Sequence, residues 1–256
     1  MNPVFIQLGP LNITYYALFI VSALLLGIFL AKQEAAKQDI STELIYDYAF
    51  YLIIFAFIGA RLWYFIFELS NYNSIFDIFK VYQGGLAIHG GILAGLLFTI
   101  YYTKKNNILF FKLTDIIVFP LILGQAIGRW GNFINQEAHG PVTSKQFLSN
   151  TLHLPDFIVN GMYIDGQYYH PTFLYESLWN IIGFIIMIFL RKKYRFNYGI
   201  LSAFYLMWYG FIRTLIEILR TDALTLYSVK VAQISSIFMF ICGLLILVTI
   251  ARRKNV

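Results

Sequence analysis

Residues 116–140 read IIVFPLILGQAIGRWGNFINQEAHG, an apolar stretch, Ile116 to Ile127, that runs straight into the polar stretch Gly128 to Gly140. An arginine, two asparagines, a glutamate and a histidine at the mouth of a hydrophobic segment cannot face lipid. A charge near the bilayer centre costs about 2.5–3.5 kcal/mol per residue. The stretch therefore reads as the wall of a protein-lined site at the end of a membrane helix.

The rest of the chain supports a membrane setting. Of its 256 residues 59% are hydrophobic and only 12% charged, with a mean hydropathy of +0.67, whereas a soluble domain carries about 25% charge. A span needs about 20 residues to cross the hydrocarbon, and seven apolar segments of roughly that length are present: Ile13 to Ala31, Leu44 to Phe67, Leu86 to Thr103, Leu113 to Ile127, Thr172 to Leu190, Gly199 to Leu219 and Val231 to Ile250. The pattern predicts an all-α membrane protein, a single seven-helix transmembrane domain over residues 1–256. No basic residue precedes Lys32, so the basic start of a cleaved signal peptide is missing and the first span is expected to be retained.

The net charge of +6 reflects topology and gives no reason to expect a nucleic-acid partner. Twelve of the 19 basic residues sit in the segments after the first, third, fifth and seventh spans, while the opposite loops carry Lys80, Lys145, Arg220 and Lys230. Positive charge marks the cytoplasmic side. The N-terminus is thus predicted outside, the C-terminus in the cytoplasm, and Arg129 to His170 forms a small extracytoplasmic cap. Asn71 to Gln83, with Tyr72, Phe76, Phe79 and Tyr82, suits an amphipathic stretch in the membrane interface. The lone cysteine, Cys242, lies in an apolar run and reads as packing.

Under this topology four polar clusters fall in the same outer half of the membrane. In Gln83 to Gly91 (QGGLAIHGG), His89 either bonds a neighbouring helix or acts as a base, and Gly91 with Gly95 makes a close-contact face. In the opening stretch, Arg129 and Asn132 share a face if the helix continues, with Glu137 past a turn. This arrangement suits a phosphate oxygen, although an Arg129–Glu137 ion pair that pins the loop is the structural alternative. Tyr209, Arg213 and Glu217, at i, i+4 and i+8, form an inward polar stripe with Arg220 one turn beyond. His170 to Glu176 opens the fifth span, where His170 and Glu176 read as helix-bracing groups. Arg61 and Tyr16 are weaker candidates. HExxH, CxxC, GxGxxG, GxxxxGK[ST] and GxSxG are all missing, so no metal or nucleotide cofactor is expected.

These residues resemble the bacterial phosphatidylglycerol:prolipoprotein diacylglyceryl transferases. Gly128 to Gly140 fits G-R-x-G-N-F-x-N-x-E-x-x-G, and GG-x-x-x-HGG (Gly84 to Gly91), HP-x-x-LYE (His170 to Glu176) and Y-x-x-x-R-x-x-x-E (Tyr209 to Glu217) follow in the family's order. The resemblance implies a transferase that moves the diacylglyceryl group of phosphatidylglycerol to the lipobox cysteine of preprolipoprotein signal peptides. A thioether forms and glycerol 1-phosphate leaves, in the first step of lipoprotein maturation at the bacterial cytoplasmic membrane. It implies Arg129 as the phosphate-binding arginine and His89 as base. Asn132, Glu137 and Gly140 would be residues required for activity, Tyr209, Arg213 and Glu217 a functional set, and Tyr16 and Arg61 further substrate contacts. Ala60 stands where some relatives have glycine, and the cap from Pro141 to Tyr169 matches no family pattern. The competing class is a membrane transporter or channel for an anionic solute, which would need polar residues through the full membrane depth.

Overall fold

The computed structural model describes residues 1–9, 11–69, 74–80, 84–194, 197–221, 225–226 and 229–253. Among them the chain is predominantly helical: α1 (Tyr15–Ala36), α2 (Thr42–Phe67), α3 (Ile88–Lys105), α4 (Phe110–Asn135), the short α5 (Asp156–Gly161), α6 (Thr172–Lys193), α7 (Ile200–Leu219) and α8 (Val231–Arg253). Each predicted apolar segment is matched by one of the seven long helices. Five of these, α1, α2, α4, α6 and α8, are long and apolar enough to cross a membrane. Only small sheets accompany them: an N-terminal hairpin of β1 (Val4–Leu8) and β2 (Leu11–Thr14), a three-stranded sheet of β3 (Val142–Thr143), β4 (Tyr163–Ile164) and β5 (Gln167–Tyr169), and a pair of β6 (Thr225–Leu226) and β7 (Val229–Lys230).

The helices gather into two compact units, one of Met1–Leu30 with Thr114–Val256 and one of Ala31–Leu113. In the second unit, α2 and α3 approach closely because small residues meet. A Cβ on Gly59 would lie 2.6 Å from the carbonyl oxygen of Gly90, and one on Gly91 would lie 3.2 Å from that of Ala56. The predicted contact face of α3 is thus its face toward α2. Two buried hydroxyls tie the same pair, Tyr48 to Thr99 at 2.9 Å and Tyr102 to the Leu44 carbonyl at 2.7 Å. Of the predicted interfacial stretch, Ile75–Phe79 forms a 3-10 turn with Phe76 and Phe79 exposed at 73% and 78%. Tyr72, Tyr82 and Gln83 lie outside the described residues.

In the first unit, α1 and α4 run antiparallel along a ladder of small residues. Virtual Cβ atoms on Gly27, Gly124 and Gly128 would sit 3.9, 3.7 and 4.0 Å from Pro120, Ala23 and Ile20, and the ring of Tyr16 lies directly over Gly131. Trp179 of α6 and Trp208 of α7 stack at 4.3 Å and each donates its indole N–H to the other's carbonyl. Glycines also bring α8 against α7, where a Cβ on Gly243 would lie 2.7 Å from the Ala203 carbonyl oxygen. The start of α7 is capped from another helix: the buried Asp115 carboxylate of α4 accepts from the Gly199 N–H at 2.7 Å and the Ser202 N–H at 2.8 Å. A carboxylate there satisfies donors that a helix N-terminus leaves open and meets its positive dipole end.

The change from apolar to polar composition at Gly128 does not end the fourth helix. It continues to Asn135, because its last two turns are walled by protein and their polar side chains find partners there. The chain turns at Gln136 and Ala138, both in the left-handed region (φ 54° and 57°). The irregular excursion therefore begins at residue 136 and not at Arg129. It has its own core, in which Phe133 stacks on Phe173 at 4.5 Å and packs with Leu148, Ile158, Val159 and Met162.

Candidate functional site

Three helices converge in the first unit: the last turns of α4 carry Arg129 and Asn132, the second turn of α6 carries Glu176, and α7 carries Tyr209, Arg213 and Glu217. Arg129 donates through Nη2 to Glu176 Oε1 at 2.5 Å, through Nη1 to Asn132 Oδ1 at 3.3 Å, and again through Nη2 to the Tyr209 hydroxyl at 3.4 Å. The second Glu176 oxygen lies 3.6 Å from Arg213 Nη1, and Arg213 Nη2 pairs with Glu217 Oε2 at 2.7 Å. Glu176 and Glu217 are 2% and 1% exposed. The four charges form an alternating chain, which is how buried ions repay their desolvation.

Above this chain, Asn132 and Asn135 donate their amides to one oxygen of Glu137, at 2.8 and 3.3 Å. Arg129, Asn132, Ala138, Thr172, Phe173, Glu176 and Arg220 line a crevice. Its lining sets guanidinium and amide groups beside Phe173 and the Glu176 carboxylate, and a guanidinium next to an amide is a donor set that suits an anionic oxygen.

The candidate Arg129–Glu137 pair is not what forms. Arg129 pairs with Glu176, while Glu137, exposed, takes its hydrogen bonds from the two asparagines. Glu176 is more than the helix brace read from the sequence, since it is the carboxylate shared by both arginines. Its signals in the sequence were a glutamate near the start of a mostly apolar helix and its place in the HP-x-x-LYE motif. Gly140 packs rather than points into the crevice: its N–H donates to the His170 carbonyl at 2.9 Å, and a Cβ would lie 2.8 Å from that of His170. Thr172 donates to the Ala138 carbonyl and locks the turn after α4 to the start of α6. His170 itself bonds the Tyr175 hydroxyl at 3.1 Å. Tyr16 reaches the site indirectly, through its ring against Gly131.

His89 and Arg61 belong to the other unit. His89 is the second residue of α3, half-buried, in a helix start held by the Ala87 N–H bonding the Ala60 carbonyl at 3.0 Å. Arg61 is buried and donates to the carbonyls of Ile78, Gly84, Gly85, Asp77 and Lys80 at 2.6–3.3 Å. Its guanidinium gathers the loop before α3, and Gly84 and Gly85, at φ of 84° and 81°, turn their carbonyls toward it.

Compared with known families, residues 3–249 match the model of the prolipoprotein diacylglyceryl transferases. The chain belongs to the prolipoprotein diacylglyceryl transferase family. It is 45% identical over 250 residues to the phosphatidylglycerol–prolipoprotein diacylglyceryl transferase of Bacillus velezensis, covering 97% of this chain and 92% of that protein. The corresponding figures are 44%, 97% and 89% for the enzyme of that name from Staphylococcus saprophyticus, and 43%, 100% and 92% for that from Listeria monocytogenes. Membership disfavours the transporter reading.

Proposed function

We propose that this diacylglyceryl transferase family member moves the diacylglyceryl group of phosphatidylglycerol to the lipobox cysteine thiol of a preprolipoprotein signal peptide. It does so with the seven long helices crossing the bacterial cytoplasmic membrane, the N-terminus outside and the crevice on the extracytoplasmic side. The charge distribution between spans supports this orientation. The observation that carries the reading is the Arg129–Glu176–Arg213–Glu217 chain at the base of a crevice built from the family motifs.

The chemistry follows from charge. Sulfur bonds to the glycerol carbon of the lipid as the carbon–oxygen bond to phosphate breaks; the electron pair of that bond leaves with glycerol 1-phosphate, and the thiol proton leaves with a base. A phosphodiester thereby becomes a phosphate monoester carrying more negative charge on one oxygen. On this reading Arg129 receives it, with Asn132 as a neutral donor and Arg220 on the same wall. Preorganised donors in a water-poor site are worth most at the moment charge develops. Glu176 and Tyr209 hold the Arg129 fork in orientation, and Arg213, itself held by Glu217, holds Glu176. The attacking species is thiolate, and His89 is the proposed acceptor of the thiol proton, directly or through water. Arg61 and Gly140 act by shaping loops. Neither cofactor nor enzyme nucleophile is required, and the partners are phosphatidylglycerol, the lipobox peptide and the surrounding membrane lipids.

The test is direct: incubate purified protein with phosphatidylglycerol and a lipobox peptide and look by mass spectrometry for a diacylglyceryl adduct on cysteine. The adduct is expected with the unmodified enzyme and lost in Arg129→Ala; no adduct from the unmodified enzyme overturns the reading.

A further inference from the structure

One helical turn deeper than the charged chain, each of the three helices that build it carries another polar residue: Gln125 on α4, Asn180 on α6 and Tyr205 on α7. Each lies four residues from a member of the site, Arg129, Glu176 and Tyr209 respectively, and so shares its helix face. Asn180 is fully buried, at 0% exposure. Its position is bracketed by contacts: Ser177 donates to the Ala126 carbonyl at 3.0 Å, and a Cβ on Gly183 would lie 2.7 Å from Ile122 Cδ1. Asn180, between them on α6, is held against the Ile122–Ala126 turn that carries Gln125. Gln125 donates to the Tyr205 hydroxyl at 2.8 Å, and the Tyr205 ring stacks on Tyr209 at 5.9 Å, 7° from parallel. Neither the amide nitrogen nor the oxygen of Asn180 has a protein partner, and the carbonyl oxygen of Gln125 has none.

Such groups inside a membrane-depth core are costly. Each buried amide atom left unpaired costs about 1–3 kcal/mol, and native interiors satisfy them with protein or ordered water. Leucine at position 180 would be cheaper if packing were its only task. We infer that Asn180 and Gln125 hold a bound water molecule beneath the Glu176 carboxylate. On this inference Asn180, Gln125 and Tyr205 are positioning residues that keep Glu176 and Tyr209, and through them the Arg129 fork, in the geometry the reaction needs. A buried water makes about three hydrogen bonds, and the two Asn180 atoms with Gln125 Oε1 supply that number. The positioning role rests on the transferase reading; the water site does not.

The experiment is a double-mutant cycle in the phosphatidylglycerol–lipobox peptide assay with Asn180→Leu, Gln125→Leu and the pair. Each single change is expected to lower kcat about tenfold with KM for phosphatidylglycerol within about twofold, and the double to be within about threefold of the worse single, since both remove the same water. Asn180→Ser is expected to recover most of kcat. Losses that multiply in the double, or an Asn180→Leu enzyme as fast as the unmodified one, overturn the positioning role. A structure of the unmodified protein at a resolution that shows water covers the case of variants that do not fold. Solvent within hydrogen-bond distance of Asn180 and Gln125 is expected, and a dry site overturns the inference whether or not the protein transfers lipid.

Discussion

Arg129 Nη2 meets Glu176 Oε1 at 2.5 Å across 47 residues of sequence, and the second oxygen of the same carboxylate faces Arg213. One buried acidic group thus sets two guanidiniums from two different helices. Replacing Glu176 by Gln leaves both arginines without the charge they share, and breaking one member of a buried ionic set costs about 3–5 kcal/mol. Transfer is expected to fall at least 100-fold together with a clear drop in thermal stability in detergent. A stable Glu176→Gln enzyme with ordinary turnover would show the pair to be incidental.

Arginine at position 129 bonds Glu176, Asn132 and Tyr209 through a planar fork, which an ammonium group cannot imitate. Arg129→Lys keeps the charge and loses the geometry. We expect kcat/KM for phosphatidylglycerol to fall about 10- to 100-fold in a well-folded protein, measured by initial rates against lipid concentration. Near-normal kinetics would mean that position 129 needs only a positive charge.

The Tyr16 ring occupies the space a side chain at position 131 would take. Gly131→Ala is therefore an overpacking change, a class that costs about 1–3 kcal/mol, and thermal unfolding should reveal it. Tyr16→Leu in the same background is expected to recover part of the lost stability. Without such recovery the cause would lie elsewhere on α4.

Asp115 lies 14 residues before Arg129 on α4, roughly 21 Å away along the axis at 1.5 Å per residue. Its carboxylate holds the start of α7. Losing a cap costs about 0.5–2 kcal/mol, so Asp115→Ala is expected to lower stability while the folded fraction keeps its turnover number. A selective loss of kcat would instead tie the capped end of α7 to the reaction.

The seven long helices were legible because each is an apolar run of helix length, and length and composition are written locally in the chain. Arg129, Asn132, Tyr209, Arg213 and Glu217 were legible for the same reason, since a polar or charged group in such a segment needs a partner. Which partner was not legible. Glu176 is separated from Arg129 by the whole cap, and its pairing depends on how α4, α6 and α7 pack. Local periodicity says nothing about that packing. The true end of α4 was hidden likewise: a polar run looks like a helix end until neighbouring helices supply its hydrogen bonds. Composition and spacing alone determined that this is a helical membrane protein with buried cations. Only the tertiary structure decided that Glu176 joins those cations, that Gly131 and Gly140 serve contact, and that Arg61 organises a loop, because each follows from distances between segments far apart in the chain.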